Sequence, residues 1–370
     1  MNEMNEFIEL QRKKATRQSY RTALNKYFKT IKTDPNTYFK DKRDYEKDIT
    51  VFVTEIHNLS PTSQKNYVSV VRSFLLDNNV EPSKKFWRKI RKQMKRGRAL
   101  TLDRAPNHAE LKQLLSYADM KTRLMILMSI SSGMRVGELM SLVPADVDLE
   151  HDPAMITLRS TYTKTGDPRI TFISDEAKEL LKLWLLPREY TDDKGIKRYE
   201  SERDRYLRNS IEKMKGIHGD KPKNDPRIFP VCESLFRHTL LILLKKTGLT
   251  KRSPETGRYE IHVHSFRKFF LSQMKLDIPV PIAEAFAGHS QYLDGSYRRY
   301  SREQLAEYYK KGMQRLMVFE NKDISEITEK MNKKEERIRE LEETMHIMKM
   351  KMDIIENKYE LEKIKNGKIK

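Results

Sequence analysis

The stretch IHVHSFRKFFLSQMKLDIPVPIAEAFAGHSQYLDGSYRRY, Ile261 to Tyr300, decides how the chain is read. His264 and Arg267 are spaced H-x-x-R, so on a helix they share one face about a turn apart. Phe266, Phe269, Phe270 and Met274 form an apolar stripe that predicts this helix. Pro279 and Pro281 break it, a short apolar segment reaches Gly288-His289, and Tyr297 and Tyr300 follow. Such groups suit phosphoryl transfer. An arginine fork grips two oxygens of a phosphate, an imidazole moves a proton near neutral pH, and a phenol attacks phosphorus to give a covalent ester. A phenol starts from a pKa of about 10, so the site must assist its deprotonation. Taken singly, each residue is better explained as a packed or solvated side chain; only the ordered set points to chemistry.

That order resembles the tyrosine recombinase (phage integrase) family, whose signature is Arg, Lys, H-x-x-R, His or Trp, then Tyr. Upstream, Gly133-Met134-Arg135-Val136-Gly137-Glu138 matches the family's G-x-R-x-x-E. A glycine turn ahead of a helix start aims Arg135 and nearby backbone N–H groups at an anion. Met155–Leu158 and Arg169–Phe172 read as short strands, with turn chemistry from Thr163 to Asp167 between them. The resemblance, strongest to integrases of archaeal viruses and plasmids, makes Lys164 in that turn the candidate general acid, with Arg159 and Arg169 as nearby alternatives. It places the nucleophile at Tyr297, with Tyr300 as the other choice. It further implies a 3′-phosphotyrosyl link and a free 5′ hydroxyl. Arg135 and Arg267 would hold the nonbridging oxygens, His264 would assist proton removal from the phenol, and His289 would donate a hydrogen bond to the phosphate. No cofactor is implied: the ester stores the bond energy, no nucleotide-binding loop is present in the sequence, and two arginines neutralise the phosphate without a metal.

The rest of the chain fits a polyanionic partner. Its 370 residues carry a net charge of +20, enough length for two or three domains and enough cationic surface to attract double-stranded DNA. No stretch is long and apolar enough to span a bilayer, no secretory signal opens the chain, and a single cysteine, Cys232, excludes a disulfide framework. A cytoplasmic, nucleoid-associated protein is expected. The fold class is mainly α with a small β-sheet. Residues 1–95 read as a helical module with clear spacing from Thr16 onward, Ser60-Pro61 starting one helix and Pro82 preceding another. The latter turns Phe86, Trp87, Ile90 and Met94 inward and Lys85, Arg88, Lys89, Lys92 and Arg96 outward. It resembles the family's SAM-like core-binding domain, one side of a clamp on DNA. Residues 96–105 form a basic linker whose Arg98 extends the DNA-contacting set. Nothing ahead of Thr16 reads as a further domain for arm-type contacts.

The catalytic domain is expected over 106–319, opening with a capping-box pattern at Asn107 and Glu110. Within it, 187–226 is polar and basic, either a variable loop or an insertion touching DNA, with helical content from Arg203 to Met214. Residues 320–370 form a separate tail. Ile324, Met331, Ile338, Met345, Met352 and Tyr359 fall at heptad position a, and Ile327, Leu341, Met348 and Ile355 at d, interrupted by Lys334. Parallel pairing would set Lys330, Arg337 and Lys351 against Glu335, Glu342 and Glu356 of a second copy. A parallel coiled-coil dimer is therefore expected, against a single charged helix. The overall reading is a site-specific DNA recombinase, working as a dimer on a site and a tetramer in synapsis. A type IB topoisomerase and a non-catalytic DNA-binding protein are the rivals.

Overall fold

Helices dominate because apolar residues recur three and four apart almost everywhere outside a few short strands. The computed structural model describes residues 3–41, 43–95, 103–191, 197–214, 225–254, 256–289, 300–319 and seven positions between 333 and 352. The chain divides between Thr101 and Leu102 into two units, each with its own apolar core. A mainly helical chain with small antiparallel sheets is what the sequence led us to expect.

The first unit contains α1 (Glu3–Glu9), α2 (Lys14–Ile31), α3 (Tyr45–Glu55), α4 (Pro61–Asp77) and α5 (Lys84–Gln93). Its core is aromatic. Tyr27, Tyr38, Phe52 and Phe74 are fully buried, each burial worth about 2 kcal/mol. The hydroxyls of Tyr27 and Tyr38 meet at 2.6 Å, which satisfies both polar ends inside that core. Ser60 caps α4 by accepting from the Ser63 N–H at 3.2 Å, with Pro61 in the first turn. Ser83 caps α5 in the same way, accepting from the Phe86 N–H at 3.1 Å. Phe86, Trp87 and Ile90 face inward, and Lys85, Arg88, Lys89 and Lys92 are exposed. Helix α1 lies ahead of Thr16, where clear spacing began in the sequence. Its Phe7 ring packs on Tyr20 at 5.6 Å and Phe74 at 5.4 Å, so the short acidic segment belongs to this core.

The second unit opens with α6 (His108–Tyr117), α7 (Met120–Ser132) and α8 (Val136–Leu139), followed by β1 (Val147–Asp148), β2 (Met155–Leu158) and β3 (Arg169–Phe172). It continues through α9 (Asp175–Leu185), β4 (Arg188–Thr191), β5 (Lys197–Glu200), α10 (Glu202–Met214), α11 (Glu233–Lys246), α12 (Val263–Asp277), α13 (Val280–Ala287) and α14 (Arg302–Met313). The Asn107–Glu110 capping box closes reciprocally, at 2.8 Å and 2.9 Å. Helix α7 is apolar nearly all round and runs through the core, where it packs against α9 and α12. Strands β1, β2 and β3 form one antiparallel sheet, with Met155 opposite Phe172 and Leu158 opposite Arg169. Strands β4 and β5 make a separate hairpin in the 187–226 region, which the sequence had shown only as helical content further on. Among the described residues no helix is long and apolar enough to cross a membrane. Most of the tail from 320 lies outside the described residues; Met348 and Met352, at d and a positions, are exposed.

Candidate active site

Two glycine-terminated helices frame the site. Gly133 ends α7 with φ of 63°, and a side chain there would overlap the buried Phe270 ring. Gly288 ends α13 with φ of 78°. Both conformations are left-handed and favour glycine. Arg135 follows the first turn as the N-cap of α8. Its Nη1 donates to Glu138 Oε1 at 3.0 Å and its Nη2 to the Gly288 carbonyl at 3.0 Å. Glu138 Oε2 accepts the Arg135 backbone N–H at 2.8 Å, so one carboxylate fixes both ends of this arginine.

Arg267 arrives from α12. Its Nη1 donates to the Gly133 carbonyl at 2.7 Å and to the Ala287 carbonyl. Arg135 and Arg267 are therefore tied to the same two chain turns. The Arg267 Nη2 is buried and has no hydrogen-bond partner among the described residues. Burial first, then the charges of Arg135 and Arg169, push the Arg267 guanidinium down to about 9, against the pull of Glu138 and Glu284. It stays charged at neutral pH, in a site short of negative charge.

His264 lies one helical turn before Arg267 on α12, with an exposed side chain. Partial desolvation of its ring, then the Arg267 charge, holds it below the ordinary histidine value, so it is neutral at pH 7. His289 follows Gly288, and its Nδ1 meets Glu284 Oε2; the other oxygen of that carboxylate binds Lys275. A carboxylate on Nδ1 keeps the proton there and leaves Nε2 for another partner. Burial raises Glu284, but the bonds from Lys275 and His289 outweigh it and keep the carboxyl below its usual range. Lys164 is exposed in the β2–β3 turn. Among the described residues no group of three or more His, Cys, Asp or Glu is placed to hold a metal ion.

The model of the phage integrase family matches residues 106–307. The chain belongs to the phage integrase family. Tyrosine recombinase XerA of Saccharolobus solfataricus (strain P2) is 26% identical over 239 residues, spanning 62% of this chain and 73% of that protein. A lambda integrase dimer bound to a COC' core site matches with a TM-score of 0.51 at 15% identity, over 81% of this chain and 78% of that one. A lambda integrase tetramer bound to a Holliday junction matches with a TM-score of 0.51 at 14% identity, over 80% and 77%. The two structural likenesses show the fold. Family membership makes this phage integrase relative a site-specific DNA recombinase of the tyrosine type, and it favours neither a topoisomerase nor a non-catalytic DNA-binding protein.

In this integrase-family domain and the linker before it, the expected residues fall into three groups. Arg135, Arg267 and His289 are joined through Gly133, Ala287 and Gly288, with His264 one turn away on α12. Lys164 sits on the turn of the sheet whose strand β3 begins at Arg169. Tyr297, Arg96 and Arg98 lie outside the described residues. Tyr300 is half-buried against the core, its ring edge-on to Tyr308 at 5.5 Å. The alternatives to Lys164 have other employment. Arg159 Nε binds Asp146 at 2.6 Å, and Arg169 is buried with both Nη atoms on Glu138 at 3.1 Å and 2.7 Å. Nothing in the sequence signalled the carboxylate on His289, because an acid five residues upstream on an apolar segment looks like a surface residue. Nor did it show the Asp103 carboxylate, which binds Lys268 at 2.7 Å and so ties the chain entering this unit to α12.

Proposed function

We propose that this chain cuts and rejoins double-stranded DNA by attack of the Tyr297 phenol on a backbone phosphate. Attack leaves a 3′-phosphotyrosyl link and a free 5′ hydroxyl. Strand exchange follows when the 5′ hydroxyl of a partner duplex attacks that ester. The observation that carries this reading is the pair Arg135 and Arg267, anchored on the Gly133 and Gly288 turns, with one buried Arg267 nitrogen still unpartnered among the described residues. A phosphate supplies the missing negative charge, and its charge grows in the pentavalent transition state, where fixed donors act most strongly.

In this reading the same set of residues carries the proton traffic. Neutral His264 accepts the phenol proton. His289, with Nδ1 committed to Glu284, donates from Nε2 to a nonbridging oxygen when protonated. Lys164 protonates the leaving 5′ oxygen; Arg159 and Arg169 are poorer candidates because each is engaged by a carboxylate. Tyr297 is preferred to Tyr300 because the Tyr300 ring is packed against Tyr308 and the core.

The basic face of α5, with Lys85, Arg88, Lys89 and Lys92, holds DNA through its phosphates, and Arg96 and Arg98 in the linker extend that track. Residues 1–95 then serve as the DNA-clamp module and 106–319 as the catalytic domain, and the protein works on the nucleoid. The relatives assembled as a dimer on a core site and a tetramer on a Holliday junction support the same assembly for this chain. The heptad tail 320–370 adds a parallel coiled coil, its exposed Met348 and Met352 entering the seam. Each exposed g to e′ ion pair contributes only about 0.5 kcal/mol, so charge sets orientation and the apolar seam sets stability.

A nicked suicide duplex tests the reading. The expected result is a protein–DNA adduct that survives denaturation and is abolished in Tyr297→Phe. A chain that binds the duplex but never becomes attached to it would contradict the chemistry. Relaxation of a supercoiled plasmid with no recombinant product would move the function to topoisomerase.

A further inference from the structure

We propose that Arg169 is a positioning residue for strand cleavage, a buried fork that sets Arg135, His289 and the Lys164 turn relative to one another. The inference rests on the recombinase reading above and adds a residue to it. Arg169 is the first residue of β3, so its backbone is one root of the turn carrying Lys164. Its side chain is 1% exposed. Both Nη atoms bind Glu138, at 3.1 Å and 2.7 Å, and the same carboxylate holds the Arg135 side chain and backbone. Its Nε donates to the Phe286 carbonyl at 3.0 Å, in the last turn of α13. The guanidinium also lies against Gly288, where a Cβ would come within 2.5 Å of its Cζ. His289 is the next residue. Three pieces of the site, distant in sequence, thus share one planar group whose three donor nitrogens all have acceptors.

This arrangement explains two features together. Gly288 must be glycine for its left-handed φ of 78°, and also because the Arg169 fork occupies the space of a side chain. Glu138 carries two guanidinium groups, so the Arg135 geometry depends on where Arg169 holds the carboxylate. A lysine retains the charge but cannot reproduce two parallel bonds to a carboxylate and a third to a carbonyl.

The test is single-turnover cleavage of a suicide duplex by R169K, read as rate constant and amplitude separately. The rate constant reports folded molecules; the amplitude reports how many there are. A role in stability alone lowers the amplitude and leaves the rate constant unchanged. The positioning role lowers the rate constant by about 10²-fold at saturating DNA, with DNA affinity within about threefold of the parent. A second substrate carries sulfur at the 5′ bridging position, a leaving group that needs no proton. It should restore Lys164→Ala but not R169K, because Arg169 acts through the phosphate-binding groups. A wild-type rate constant in R169K, or rescue of R169K by the sulfur leaving group, overturns the proposal. If R169K gives no folded protein, G288A reads the same coupling, since its methyl displaces the fork while every charge remains; an unchanged rate constant there overturns the proposal equally. If the parent protein itself forms no Tyr297 adduct, it is the recombinase reading that fails, not the role of Arg169.

Discussion

The arginine cluster between Gly133 and Gly288 and the β4–β5 hairpin with α10 are both rich in basic residues, yet they differ in what those residues face. In the hairpin module Lys197 binds Glu189 at 2.7 Å, Arg208 binds Glu200 at 3.0 Å, Arg205 binds Glu202 at 3.5 Å, and Arg203 pairs with Asp204. Among the described residues these four basic side chains are each paired with a nearby carboxylate. In the cluster, Arg135 and Arg169 share Glu138, while the hydrogen bonds of Arg267 run to main-chain carbonyls. Helix α5 stands between the two cases. It has no acidic residue of its own, and among the described residues Lys85, Arg88, Lys89 and Lys92 make no ion pair. The cluster thus sets three guanidinium groups against the single carboxylate of Glu138, and Arg267 is bound only to carbonyls.

The strongest way to break this contrast is to remove charge from the cluster. Arg267→Ala and Arg135→Ala should each slow cleavage by at least about 10²-fold to 10³-fold in single-turnover assays while DNA stays bound. Loss of binding without loss of rate would make them tethering residues instead.

His264 comes next. It is a base only when neutral, and partial desolvation together with Arg267 keeps its pKa below the ordinary 6.5. Cleavage at subsaturating DNA should thus be flat near neutral pH and fall as pH drops through that lowered value. In His264→Gln that acid limb should disappear and the rate should drop by about 10²-fold. A limb that persists in the variant would assign the titration elsewhere.

Charge reversal on α5 should act on binding alone. Lys85→Glu, Lys89→Glu and Lys92→Glu together are expected to flatten the dependence of log affinity on log salt by about 0.9 for each phosphate the helix no longer neutralises, measured by fluorescence anisotropy across salt concentrations. An unchanged slope would take α5 off the DNA. The smallest effect belongs to the hairpin module. Lys197→Glu with Arg208→Glu should alter DNA affinity less than about twofold and stability by under about 1 kcal/mol, because exposed ion pairs contribute little. A large loss of affinity there would show that paired arginines also reach DNA.

Much of this was legible in the sequence because the signals are local. The Phe266–Met274 stripe gives α12, serine and proline at 60 and 61 start α4, and β-branched residues around a glycine turn give β2 and β3. Order along the chain singled out Arg135, Arg267 and His289, which the Gly133 and Gly288 turns bring together. Helix α1 was missed because seven residues offer too few repeats to read. The β4–β5 hairpin was missed because Arg188–Thr191 and Lys197–Glu200 are polar on both faces and show no alternation. The fork of Arg169 could not be read at all. Its partners, Glu138 and Phe286, lie 31 and 117 residues away, and no local pattern reports such pairings.

The most direct test of the central claim is to digest the covalent adduct on a nicked duplex and map the modified residue by mass spectrometry. A nucleotide remnant on Tyr297 is expected, with no adduct formed by Arg267→Ala on the same timescale. A remnant on Tyr300, or an adduct that forms equally fast without Arg267, would contradict it.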